Sequence, residues 1–252
     1  MFTKYYLSLT FLLISTFAIQ QAALAQSTIF NVPTTDTVSP KKVYFEFDYL
    51  PQIPKTEGAG RIQIFNPRIV VGVAPNLEAG ANFANFYNGG TASTASSTLS
   101  FVQPNIKYRF AASDANGIAA AAGLIWYTPI NHREGADSFG LVYGNFSKKV
   151  KKGSYGPRIT VGPYGIVAAA DNYFGTKAGA IVGYEQPIHA KASIAADWFS
   201  GVSGFGYFTP GISITLPRNS LLNVGYSIGN DSYSEPSNNN RFLFVYYGIT
   251  FP

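Results

Sequence analysis

The chain has 252 residues, of which 15% are aromatic and only 12% charged, with a formal net charge of +5 and no cysteine. So low a charged fraction points away from an ordinary soluble domain, where about 25% is usual. The missing cysteines exclude disulfides, and no stretch after residue 26 stays apolar for the roughly 18 residues that a helical membrane span requires.

The first segment, MFTKYYLSLTFLLISTFAIQQAALAQ, sets Lys4 ahead of an apolar stretch that reaches Ile19, and Ala23-Leu24-Ala25 fits a small-x-small cleavage site. It is read as a secretory signal peptide over 1–25, cut after Ala25. Residues 26–41, QSTIFNVPTTDTVSPK, carry two prolines and little periodicity. The default reading is a disordered periplasmic tail; the alternative is a plug folded into the lumen of whatever follows.

From Lys42 onward the chain reads as strands of period two. In KVYFEFDYL, Val43, Phe45, Phe47 and Tyr49 oppose Tyr44, Glu46, Asp48 and Leu50. In FVQPNIKYRF, Val102, Pro104, Ile106, Tyr108 and Phe110 oppose Gln103, Asn105, Lys107 and Arg109. KAGAIVGYE, KASIAADWF and YFTPGISITL alternate in the same way. The pattern predicts twelve strands, at about 42–50, 61–73, 77–87, 99–112, 118–128, 138–148, 157–169, 177–185, 191–199, 205–216, 221–229 and 241–251. The second keeps its phase only with a bulge at Asn66-Pro67. The sixth, SFGLVYGNFSK, alternates too poorly for its faces to be assigned. The last, RFLFVYYGITFP, sets Leu243, Val245, Tyr247, Ile249 and Phe251 on one face and Phe242, Phe244 and Tyr246 on the other.

Low charge, many aromatics, export and strands whose apolar faces end in Tyr, Trp or Phe point to an all-β fold: an antiparallel transmembrane β-barrel over 42–252. Long and short connections alternate through much of the chain, with PQIPKTEGAG, NGGTASTASST, TPINHREGAD and NDSYSEPSNNN against APN, SDANG, QPIHA and PRNS. Short turns belong on the periplasmic side of such barrels, so an even strand count leaves both termini in the periplasm.

On this pattern the chain resembles small Gram-negative outer-membrane β-barrel proteins. The hairpin VVGVAPNLEAGANF looks like the short-turn hairpins of small transporter-like barrels associated with aromatic-compound pathways. The resemblance implies export, insertion by the barrel assembly machinery and surroundings of outer-membrane lipid. Terminal strands of such barrels finish on an aromatic residue read by that machinery. This assigns the assembly signal to Tyr247, Ile249 and Phe251, although Pro252 follows the last of these.

The lumen-facing candidates are Glu46, Asp48, Arg61, Glu78, Lys107, Arg109, Arg158, Lys177, Glu185 and Asp197, with Lys191 beside them. Hairpin pairing sets Asp48 diagonal to Arg61, Glu78 opposite Lys107 with Arg109 diagonal, Glu185 near Arg158, and Asp197 near Lys177. Inward Gly179, Gly183, Ser193 and Gly211 leave space on one wall, while Phe242, Phe244 and Tyr246 narrow the other. The reading is a narrow passive channel or uptake barrel for small solutes. Inward bases slightly outnumber acids, so small conductance with weak anion preference is expected. The alternative is a non-conducting structural or adhesive barrel.

Catalysis has little to work with. Neither histidine falls in a predicted strand, so a His–Ser lipid hydrolase lacks its pair. A hydrolytic site at the outer rim would draw on His132, Glu134, Asp137, Asp171 and Asp197; the bland reading is a solvated polar loop. No phosphate loop, zinc spacing or dinucleotide fingerprint is present, and no cofactor or metal is expected. The run of Lys148, Lys149, Lys151 and Lys152 is read as a solvated turn rather than a nucleic-acid site, with contact to anionic lipid as the sharper alternative.

Overall fold

The computed structural model describes residues 27–53, 61–90, 95–131, 137–151, 153–169, 175–233 and 240–252. The expected signal peptide, its cleavage at Ala25, and residues His132, Glu134, Lys152 and Asp171 lie outside the described residues.

Twelve strands form: β1 (Val43–Pro51), β2 (Ile62–Ala74), β3 (Leu77–Asn88), β4 (Ser97–Ser113), β5 (Ile118–Pro129), β6 (Phe139–Lys149), β7 (Arg158–Val167), β8 (Ala178–His189), β9 (Ala192–Phe199), β10 (Tyr207–Leu216), β11 (Ser220–Gly229) and β12 (Arg241–Phe251). Each strand pairs with its chain neighbours, and β1 closes antiparallel on β12, so the barrel leaves no sheet edge open. Among the described residues the helical structure is a single 3-10 turn at Asn230–Tyr233, and no helix is long and apolar enough to cross a membrane.

Alternation decides which side chains face in. In β1, Tyr44, Glu46 and Asp48 are buried in the interior, while Phe45 and Phe47 sit on the outer face, 37% and 40% exposed. In β12, Phe242, Phe244 and Tyr246 point in, and Tyr247 and Phe251 point out. The sixth strand also has a clear parity: Leu141, Tyr143, Asn145 and Ser147 are all buried. Short connections and both ends of the strand run gather at one end of the barrel, called here the turn end; the other is the loop end.

The phase of β2 differs from expectation. Its register against β1 runs unbroken from Val43 opposite Val71 to Pro51 opposite Gln63, so no bulge sits at Asn66-Pro67. The shift falls between Gly72 and Ala74 instead. There the chain before β1 crosses the strand: Lys41 N donates to Gly72 O (2.9 Å) and Gly72 N to Lys42 O (3.0 Å). A Cβ at Gly72 would stand 2.0 Å from the Ser39 carbonyl oxygen, so only glycine permits the crossing. The unbroken phase turns Arg68 inward. It leaves Arg61 just outside β2, exposed, with its Nε donating to Gln52 O at 2.9 Å.

The segment before β1 does not hang from the turn end as a tail. Residues 27–38 run inside the barrel, where Ile29, Val32, Thr34 and Thr35 are fully buried. Thr28 bridges Pro33, Ile29 N donates to Val32 O (2.9 Å) and Thr34 N to Ser27 O (3.0 Å), forming a small hairpin with Phe30 and Asn31 at its tip.

Candidate functional site: the occupied lumen

The hairpin enters from the turn end, and the wall holds it at three levels. At the entrance, Glu78 and Lys107 face each other across β3 and β4 and form an ion pair of 2.9 Å with both side chains 2% exposed. Ser27 Oγ donates to one oxygen of Glu78 (2.8 Å) and Val38 N to the other (2.7 Å), while Lys107 Nζ donates to Ser27 O (3.2 Å). A buried pair of this kind stabilises only when its remaining valences are met, and the hairpin meets them.

On the opposite wall, Arg158 forks onto both oxygens of Glu185 (2.7 and 2.9 Å) and gives a third donor to Asp36 (2.6 Å). Burial acts to raise the Asp36 carboxyl. The Arg158 guanidinium, helped by Lys107 and Arg109, outweighs it and holds Asp36 below the ordinary carboxylate range. Thr35 and Ser147 hydroxyls meet at 2.6 Å, and Asn145 donates to Pro33 O.

At the tip, one carboxylate oxygen of Asp197 accepts three consecutive backbone N–H groups: Phe30 (2.9 Å), Asn31 (2.6 Å) and Val32 (2.7 Å). Asn31 adds a bond to Thr209 Oγ1 (3.1 Å), and Asn223 donates to Ile29 O (3.0 Å) and Tyr246 Oη (2.5 Å). Three donors on a single charged acceptor form a strong backbone anchor, since bonds to ionised groups contribute about 1.5–3 kcal/mol each.

The apolar part of the tip fills a socket of small residues. A Cβ at Gly183 would lie 2.3 Å from Ile29 Cδ1, and Cβ atoms at Gly211 and Gly225 would lie 2.5 and 2.8 Å from the Phe30 ring. Phe30 packs edge-on to Phe244 at 5.5 Å and to Tyr246 at 6.5 Å. The space that inward glycines were expected to leave is thus occupied. Phe244 and Tyr246, expected to narrow the passage, clamp the tip instead. Toward the loop end, Val32 joins Leu141, Tyr164, Ile166, Ile181 and Phe199, and rings of Tyr127, Phe139 and Phe205 pack against them.

The wall of β1 and β2 carries a buried charge network. Arg68 pairs with Glu46 (3.0 Å) and lies 3.8 Å from Asp48, Tyr44 donates to Glu46 (2.5 Å), and Asn66 donates to Asp48 (2.8 Å). Arg68 also donates to Thr28 Oγ1 of the hairpin (3.1 Å). Between the hairpin and the wall from β2 to β6 lies a narrow pocket, lined in part by Arg68, Asn82, Asn105, Lys107, Ile125 and Tyr143, with room for little more than a water molecule.

Of the sequence candidates, Glu46, Asp48, Glu78, Lys107, Arg158, Glu185 and Asp197 point into this interior. Three expected pairings differ. The partners of Asp48 are Arg68 and Asn66, because the β2 phase carries Arg61 off the wall. Asp197 faces Gly183 and Thr209 and binds the hairpin, while Lys177 is exposed ahead of β8 at the loop end. Arg109 lies at the turn-end rim, where Nε and Nη2 both donate to Asn76 Oδ1 (3.0 and 2.7 Å). Lys191 is exposed in the β8–β9 turn and His189 beside it accepts the Lys191 N–H (3.2 Å). The rim hydrolase set loses Asp197 to the lumen, and Asp137 is its described member at the loop end. Among the described residues no group of His, Cys, Asp and Glu could hold a metal. Sequence reasoning missed Arg68 and Asn223, and offered the luminal segment only as the alternative to a disordered tail. Inward Gly183, Gly211 and Gly225 set against the apolar TIFNV were the signal that could have decided between the two.

No protein-family model matches the sequence, and no curated protein does. Among solved structures the fold is similar to an outer membrane channel from Pseudomonas putida F1, with a TM-score of 0.52 at 11% identity over 85% of this chain and 97% of that one. At this identity the likeness establishes the barrel fold and nothing finer.

Proposed function

We propose that this chain is an outer-membrane channel for small solutes, closed at rest by its own N-terminal hairpin and opened when the hairpin withdraws toward the turn end. The observation that carries the reading is how the hairpin is held. Its shafts are fixed by Glu78, Lys107, Arg158, Asn145 and Ser147, groups that water can satisfy once the hairpin leaves. A permanent core would more naturally be apolar at those contacts. The tip opposes withdrawal: Ile29, Phe30 and Val32 are buried, at about 1.5–3 kcal/mol each. A closing preference above ~4 kcal/mol keeps the open fraction below roughly 1 in 1,000, so conduction of the intact chain is rare and brief.

The second reading, a sealed structural barrel, is favoured by the aromatic packing of Tyr127, Phe139, Phe199 and Phe205 near the loop end. Planar-bilayer recording separates the two. Deletion of residues 27–38 should turn sparse openings into a steady conductance, and a folded deletion variant that stays silent supports the sealed barrel. In this proposal the turn end faces the periplasm. Cysteine at Asn88 should then react with an impermeant maleimide on intact cells, and cysteine at Ala115 should not.

A further inference from the structure

Among the described residues, six exposed bases lie at the turn end: Lys41 and Lys42 ahead of β1, Lys148 and Lys151 around the β6–β7 turn, Lys191 in the β8–β9 turn and Arg218 in the β10–β11 turn. Among the described residues of the turn-end connections, the exposed acid is Asp114, in the β4–β5 turn. The loop end differs, mixing exposed Arg61 and Lys177 with exposed Asp137. The bases come from the segment before β1 and from three turns on the β6-to-β11 side of the closed strand order, while the β2–β3 and β4–β5 turns carry none, so they form an arc along one side of the rim.

Among the described residues, seven large apolar ones are at least half exposed, and six of them, Val73, Tyr108, Phe110, Val150, Tyr155 and Ile188, are at the turn end; the seventh, Ile130, follows β5 at the loop end. Exposed apolar and aromatic side chains are stable there only against hydrocarbon and its interface. At the β6–β7 and β8–β9 turns exposed apolar side chains, Val150, Tyr155 and Ile188, thus lie beside ammonium groups, a pairing that suits acyl chains and the phosphates next to them.

We propose that the turn-end arc of bases binds the phosphates of anionic phospholipid headgroups, so that the barrel gathers anionic lipid along this side of its rim. Each base near a charged membrane surface raises the affinity roughly fivefold at moderate salt, enough for preference without irreversible binding. The proposal rests on the barrel spanning a bilayer, not on its conducting.

The test uses the full mature chain carrying Tyr155→Trp with Trp126→Phe and Trp198→Phe, reconstituted in phosphatidylcholine with brominated lipid as quencher. Brominated phosphatidylglycerol should quench the introduced tryptophan severalfold more effectively than brominated phosphatidylcholine at equal content. The preference should fall to near unity in a Lys148→Gln, Lys151→Gln, Lys191→Gln variant, whose folding is checked by heat-modifiable migration. It should survive inorganic phosphate at constant ionic strength. Equal quenching by both lipids, or a preference that persists in the glutamine variant, overturns the proposal. Loss of the preference to inorganic phosphate identifies a free-phosphate site and also overturns it. Failure of the folded barrel to enter bilayers defeats the membrane reading itself, a different outcome from insertion without preference.

Discussion

Asp197 shows how much one side chain does here. Its oxygen collects the N–H groups of Phe30, Asn31 and Val32 from a segment more than 160 residues away, in the 2% exposed interior. Asp197→Ala leaves three buried donors without an acceptor, each costing about 1–3 kcal/mol unless the tip moves to water. Amide exchange at those three positions should rise by at least about 100-fold, near 2.7 kcal/mol, while amides of β3 and β4 stay protected. Unchanged exchange would show that the apolar socket, not the carboxylate, seats the tip. Asp36 gives a pH dependence whose sign is set by its shift. Its folded value is held below the ordinary one, chiefly by Arg158 against the opposing effect of burial. The contribution of its ion pair is therefore complete above the unfolded carboxylate value of about 3.9 and disappears as pH falls through the lower folded value. Exchange at Thr34 and Thr35 should accelerate on acidification below about pH 4, and Asp36→Asn should flatten that response. A response of the same size in Asp36→Asn would move the effect to another carboxylate.

Among the elements, the strands were legible in the sequence, while the hairpin was there only as the alternative to a disordered tail. Period-two alternation forces one face of each strand out of water, so β1 and β12 can be assigned from Phe45 and Phe47 or from Phe242 and Phe244 alone. Register within β2 was harder, because Asn66-Pro67 has the chemistry of a bulge while the actual shift at Gly72 answers a crossing chain that no local pattern encodes. The hairpin TIFNVP has too few residues for periodicity, and its order comes from a wall distant in sequence. Gly183 tests it as an element. A larger side chain there meets Ile29 Cδ1 and no backbone atom, so Gly183→Val acts on the hairpin and spares the sheet. Opening frequency in bilayers should rise, and Ile29→Ala should restore closure in the double variant; a rise that Ile29→Ala leaves intact would place the damage in the wall. For β12, both Tyr247 and Phe251 face outward, 40% and 46% exposed. A charge on the lipid face is most unfavourable at mid-depth and falls to about 0–1 kcal/mol near the interface. Bilayer energetics alone make Tyr247→Asp the worse change. If Phe251→Asp instead blocks outer-membrane recovery more strongly, the terminal aromatic is being read during assembly, as the resemblance implies.

At the scale of the whole molecule, if the barrel conducts as proposed, its wall charges point to cations and not to the expected weak anion preference. That expectation counted Arg61, Lys177 and Lys191 as inward, and all three lie off the wall; Arg68 enters instead. Among the described strands, the interior wall then holds five carboxylates, Glu46, Asp48, Glu78, Glu185 and Asp197, against the three bases Arg68, Lys107 and Arg158, with Arg109 at the rim. Glu78 keeps Lys107, and Glu185 keeps Arg158, when the hairpin leaves. Arg68 is shared between Glu46 and Asp48, so one of that pair stays unmatched. Asp197 loses its three amide donors outright. An open lumen therefore presents about two uncompensated negative charges. One unit charge at ~10 Å in an effective dielectric of about 40 is worth roughly 0.8 kcal/mol, close to a fourfold bias for a passing ion. The barrel lacking residues 27–38 should accordingly show a reversal potential on the cation side in a potassium chloride gradient. Asp197→Asn in that background should bring it partway to zero, and Asp197→Asn with Asp48→Asn nearly all the way. Anion preference in the deleted barrel would mean that loop charges outside the described strands, not these carboxylates, set the field in the passage.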